Sequence, residues 1–116
     1  LGDICWGQDE YWHSLFHHRL NKIRKWLIKG NHDKKTNSWY FNHGWDFVAD
    51  SILLKIHGKR ILFSHRPESE NDYYDINIHG HLHNTGHHQT FNDGKHINIF
   101  IEHHYMPQDL RKIINK

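Results

Sequence analysis

The sequence predicts an α/β fold, and three observations carry the prediction. The first third reads as strand, helix, strand: an opening "LGD", a stretch with apolar residues three and four apart, then the short apolar run "WLI" closed by Gly30. The second half reads as short strands broken by Gly58-Lys59 and by Asn92-Asp93-Gly94, the punctuation of hairpins. Each apolar run also ends in a polar cluster, as strands do when their carboxyl ends build a site.

Taken in order, "LGD" reads as the carboxyl end of a buried strand delivering Asp3, with no Met before it, so an upstream segment is expected to be missing. Residues 10–24 place Trp12, Leu15, Phe16, Leu20 and Ile23 along one stripe, which predicts an amphipathic helix. "KWLIKGNHD" follows as a buried strand running into a loop, and the two strands of such a βαβ unit should be parallel. Residues 34–51 mix Trp39, Tyr40, Phe41, Trp45 and Phe47 with polar residues and are expected to be loop or short helix.

Residues 52–57 and 60–64 are two strands of a hairpin, and 66–75 ("RPESENDYYD") is a polar loop. "INIH" is a strand, "QTFNDGKHINIFIE" a second hairpin, and "PQDLRKIINK" a closing helix with Pro107 near its first turn. Leu27, Ile28, Leu62, Phe63, Ile78, Ile99 and Ile101 are the expected core.

At 116 residues, 36% of them hydrophobic and 14% aromatic, the chain can build a core and reads as a single domain spanning 1–116. A formal charge of +2, scattered along the chain, argues against binding nucleic acid through charge alone. The single cysteine, Cys5, closes no internal disulfide, and no apolar run approaches the ~20 residues of a membrane span. A soluble, cytoplasmic protein with no membrane partner is expected.

The chemistry-bearing residues stand at the run ends: Asp3, then Gly30-Asn31-His32-Asp33, then Ser64-His65, then Gly80-His81-Leu82-His83. With fifteen histidines in the chain, a lone imidazole carries little weight, and only spacing joined to other ligand types counts. In "INIHGHLHN" His79, His81 and His83 alternate, so an extended backbone would send them to one face, and Gly80 lets that backbone approach something closely. Carboxylate, amide oxygen and imidazole without thiolate form a ligand set for Mn, Fe, Zn or Ni.

The order "GD", "GNHD", "SH", "GHLH" resembles the signature of the calcineurin-like metallophosphoesterases, and the contexts "GNHDK" and "GHLHN" are similar to those of its small bacterial and phage members. The resemblance covers nearly the whole chain. It implies a layered α/β/β/α sandwich of two mixed sheets, with a pair of divalent metal ions, Mn foremost, at the strand carboxyl ends. It implies that Asp3 bridges the two ions, that Asn31, His65 and His81 complete one ligand set, and that His83 reaches the other ion. His32 would lie beside the substrate phosphate and donate a hydrogen bond or a proton to the leaving oxygen, and Asp33 would orient a neighbour or cap the loop. Apart from the resemblance, Arg66, just after His65 and before Pro67, is either the cation that meets the phosphate or a plain surface arginine.

The implied reaction is hydrolysis of a phosphate mono- or diester by a metal-bridging hydroxide. A small phosphate ester, a nucleotide or a nucleic acid are the candidate substrates. The family's first motif, Asp-x-His, does not occur in the sequence. As written, the second ion has only Asp3 and His83, and the parent protein rather than this chain is expected to turn over.

His79 is expected to be a strand histidine or an outer partner of the ligands. Trp6, Trp12, Trp26, Trp39 and Trp45 are expected to pack in the core or a lid, and the pairs His17-His18, His87-His88 and His103-His104 to be exposed or to flank strands. Two rival functions remain in view, a non-catalytic His-rich metal-binding module and a nucleic-acid-binding domain. The ordered Asp and Asn speak against the first, and the weak charge against the second.

Overall fold

A computed structural model describes residues 2, 7–69, 73–80, 95–99 and 109–114. Over these the chain is α/β with two sheets, one of two strands and one of four. Helix α1 (Asp9–Arg19) starts with Asp9 and Glu10 and finishes with His17, His18 and Arg19, a charge order that suits the helix dipole. Beyond its end, the Lys25 ammonium donates to Leu20 O at 3.0 Å, at the helix cap, and to Ile23 O at 3.1 Å in the turn that follows.

The expected stripe of α1 needs correction. The helix stops at Arg19, so Ile23 lies beyond it and is 57% exposed, and Trp12 is 46% exposed. The fully buried residue of the helix is His13, with Phe16 half-buried and stacked on Trp45. The cause is a hydrogen bond from Trp45 Nε1 to His13 Nδ1 (2.9 Å), which gives the inward position to an imidazole rather than an indole.

Strand β1 (Trp26–Ile28) pairs in parallel with β2 (Phe47–Ala49), joined through the short helix α2 (Asn37–Phe41). A strand-helix-strand unit therefore exists one step later than expected; the first strand of the expected unit falls largely outside the described residues. Thr36 caps α2 by accepting from Trp39 N at 3.2 Å. Strand β2 lies inside the stretch expected to be loop or short helix.

In the second sheet β3 (Ser51–Ile56) and β4 (Lys59–Ser64) form the expected hairpin, but it turns one residue earlier than the expected Gly58-Lys59, at His57 and Gly58, both at positive φ (51° and 78°), as a type I′ turn requires. Strand β5 (Ile76–His79) runs parallel to β4, and β6 (His96–Asn98) parallel to β5. The turn at 92–94 and the other arm of the expected second hairpin lie outside the described residues. Helix α3 (Leu110–Ile114) closes the chain.

Among the described residues there are two cores. Leu27, Tyr40, Trp45 and Val48 form one, with Phe16 and Trp39 against it; Ile61, Ile76, Ile78 and Ile114 form the other, with Phe63, Ile97 and Ile99 against it. Of the expected core, Leu27, Ile28, Leu62 and Ile78 are buried, Phe63 and Ile99 half-buried, and Ile101 lies outside the described residues. Trp45 and Trp39 pack as expected, whereas Trp26, 55% exposed, sits outside against Phe47. His17 and His18 are exposed. No helix among the described residues is long and apolar enough to cross a membrane.

Candidate functional site

The loop after β1 is held by its own aspartate. Asp33 is buried, its Oδ2 accepts from Gly30 N at 2.8 Å, and its own N–H donates to Gly30 O at 3.2 Å. This reciprocal closure fixes the backbone on both sides of Asn31 and His32. Asn31 is exposed and His32 half-buried. Of the two roles expected for Asp33, the loop anchor is the one its contacts describe.

The chain leaves β4 at Ser64, and the next residue, His65, is buried. Its Nε2 lies 3.0 Å from Asn31 Oδ1, joining residues 34 apart in sequence. An amide oxygen only accepts, so Nε2 carries the proton and donates. The spacing also suits a shared cation: two donors each about 2.1 Å from one ion and at right angles stand about 3.0 Å apart. To ligate through Nε2, His65 must give up the proton it now donates, so binding an ion there releases or relocates a proton.

Two close backbone approaches, at Gly2 and at Gly80, adjoin these residues. Gly2, at φ +90°, lies so near the β1 loop that a Cβ on it would stand 2.3 Å from Gly30 N and 2.9 Å from Ile28 O; only glycine fits here. On the other side Gly80 N donates to His65 O at 2.9 Å. The residues just before Asp3 and just before His81 thus adjoin the Asn31 loop and His65 respectively. Asp3, His81 and His83 themselves lie outside the described residues. Among the described residues no group of three or more His, Cys, Asp or Glu side chains is placed to hold a metal ion.

Below His65 runs a buried polar layer that the sequence motifs do not reveal. Asn77, 0% exposed, donates from Nδ2 to Leu62 O (3.0 Å) and Ser64 Oγ (2.9 Å) and accepts at Oδ1 from Glu68 N (2.8 Å). Ser64 Oγ in turn donates to Arg66 O at 2.6 Å. The available signal was an amide in the middle of the apolar run "INIH", a buried polar group that must find partners. His79, also buried, donates from Nδ1 to Gly80 O at 3.0 Å, and His96 from Nε2 to Glu68 O at 2.7 Å. Arg66 itself is exposed, directly after His65.

No protein-family model matches the chain, and no curated protein matches it. Among solved structures it is similar to the protein of unknown function AQ665 from Aquifex aeolicus, at 25% identity and a TM-score of 0.72, over 99% of this chain and 73% of that one. The likeness extends over both sheets of the α/β fold, and the neighbour's function is itself unknown.

Proposed function

We propose that the protein is a metal-dependent phosphoesterase of the calcineurin-like kind, acting on a phosphate mono- or diester, with the two sheets facing each other in an α/β/β/α sandwich. One observation carries the reading: His65 Nε2 and Asn31 Oδ1, from the second and first sheets' strand ends, meet at 3.0 Å, while Gly2 lies against Gly30 and Gly80 N donates to His65 O. Residues of two of the motifs, Asn31 of GNHD and His65 of SH, are thus neighbours in space. Full burial along β5, from Ile76 to His79, supports a sheet covered on both faces.

The residues fit a divalent cation, with Mn preferred and Fe, Zn or Ni as the other candidates. Asn31 and His65 would hold one ion with Asp3 and His81, and His83 with Asp3 would reach a second. Such ions supply an activated water and offset charge on the phosphate. The chain's own groups do the rest: Asp33 fixes the loop so that His32, next to a ligand but diverging from it, faces the substrate and protonates the leaving oxygen, and Arg66 binds the phosphate.

The test is hydrolysis of 4-nitrophenyl phosphate and bis(4-nitrophenyl) phosphate by the full-length protein. We expect turnover that chelation abolishes and Mn²⁺ restores. His65→Ala should lose both metal and turnover. His32→Ala should keep its metal and slow by roughly 10²- to 10⁴-fold, the range for a lost general acid, with a smaller loss for esters that have good leaving groups. No turnover with any of the four metals, or full turnover in His65→Ala, would refute the reading; a metal-binding module would take up Mn²⁺ without hydrolysis.

A further inference from the structure

We propose that Ser64 and Asn77 are positioning residues that lock the segment after His65, so that Arg66 is presented to the substrate phosphate at the metal site. The inference rests on the phosphoesterase reading and adds to it the means by which phosphate is gripped. Strand pairing ends at Ser64; the backbone bond from Gly80 N still holds His65 O, and Arg66 lies one residue beyond it. Two buried side chains take over the task of holding that residue.

Asn77 sits at 0% exposure in β5, where burial alone would favour an apolar residue. Its amide uses three bonds, two toward the end of β4 (Leu62 O and Ser64 Oγ) and one toward Glu68 N. The Ser64 hydroxyl accepts from Asn77, so its proton is directed elsewhere, and it goes to Arg66 O at 2.6 Å. A relay therefore runs from Asn77 through Ser64 to the Arg66 carbonyl, while the same amide pins Glu68 two residues on.

Arg66 is thereby held at its own carbonyl and from the far side, with its exposed guanidinium next in sequence to the ligand candidate His65. A flexible arginine would lose rotational freedom on gripping phosphate, and fixing its backbone beforehand reduces that loss. The signature of such a role is coupling. Ser64 should matter only as long as Arg66 has a side chain to present.

The experiment is a double-mutant cycle on the full-length protein, read as KM for 4-nitrophenyl phosphate with Mn²⁺. Arg66→Ala should raise KM roughly tenfold, as loss of a charge-assisted phosphate contact does. Ser64→Ala should raise it by about fivefold with kcat and Mn²⁺ affinity within about twofold of the parent, whereas in the Arg66→Ala background the same change should move KM by less than about twofold. Equal losses in both backgrounds would mean that Ser64 is merely structural and would overturn the inference alone.

A second measurement bears on Asn77 directly. In Asn77→Ala the Glu68 amide should exchange its hydrogen at least about tenfold faster while the Ile61 and Ile78 amides stay protected; an unchanged Glu68 rate overturns the lock. A parent that binds Mn²⁺ yet hydrolyses no ester overturns the phosphoesterase reading, and the role of Arg66 with it, whatever the exchange rates are.

Discussion

The two cores are built from different chemistry, and each delivers one half of the candidate site. Around β1, β2 and α2 the core is aromatic, with Tyr40 and Trp45 beside Leu27 and Val48; around β4, β5 and α3 it is four isoleucines. Aromatic residues bring polar edges that require partners. Tyr40 OH accepts from Lys35 N at 3.2 Å and Trp45 Nε1 donates to the buried His13. The isoleucine core has no polar atoms in its side chains, and the polar requirements of this half are gathered on the other side of β5, at Asn77. Asn31 therefore stands on a scaffold whose core itself needs directional bonds, and His65 on one whose core is packed volume and whose hydrogen bonds lie on the opposite face of β5.

The largest expected effect would come from breaking the isoleucine half. Ile78→Ala should cost about 2–5 kcal/mol in urea unfolding, because Ile61, Ile76 and Ile114 are held by separate elements and cannot collapse into the space. A loss below about 1 kcal/mol would mean that this core is loosely packed. In the aromatic half, Trp45→Phe keeps most of the buried surface but removes the donor to His13, and should cost about 1–3 kcal/mol. In a His13→Leu background the same change should cost much less; equal costs would mean the bond contributes nothing.

A pH dependence sharpens the contrast. Burial holds the His13 imidazole below its ordinary value of 6.5, against smaller opposing effects of Asp33 and Asp9 and a smaller lowering by His43. The unfolded chain therefore takes up this proton first as pH falls below 6.5, and the stability due to neutral His13 is lost in that direction. The stability difference between the parent and His13→Phe should shrink from pH 7 toward pH 5; a constant difference would contradict the assignment.

The smallest effect belongs to the surface of the second sheet. Arg60 donates to both oxygens of Asp75 and from its backbone N–H, which holds that carboxyl down at about 2 against an ordinary 3.8. Its contribution is present above pH 3.8 and lost as pH falls toward 2, and salt should weaken it because the pair is exposed. Following the Asp75 carboxyl by NMR checks this, and a midpoint near 3.8 would show the contact to be transient.

Legibility in the sequence divides along the same line. The β3–β4 hairpin and β5 were readable because their apolar runs and turn residues are local signals. Strand β2 was not: its three residues are made a strand by pairing with β1, including Lys29 N to Ala49 O at 2.9 Å, and a polar and aromatic neighbourhood hides that pairing. His13 looks polar in a helix until Trp45, 32 residues away, gives it a bond. The nearness of Asn31 and His65 was foreshadowed by their motifs, whereas Asn77, which supports the chain beside His65, carries no motif and is recognised only by its burial.

The central claim is that Asn31 and His65 share one cation, and anomalous diffraction from crystals of the full-length protein grown with Mn²⁺ tests it most directly. The expected result is an anomalous peak within about 2.3 Å of both His65 Nε2 and Asn31 Oδ1, with their mutual hydrogen bond replaced by bonds to the ion. A structure with Mn²⁺ bound elsewhere, or not at all, and with the 3.0 Å hydrogen bond between these two atoms intact, would contradict it.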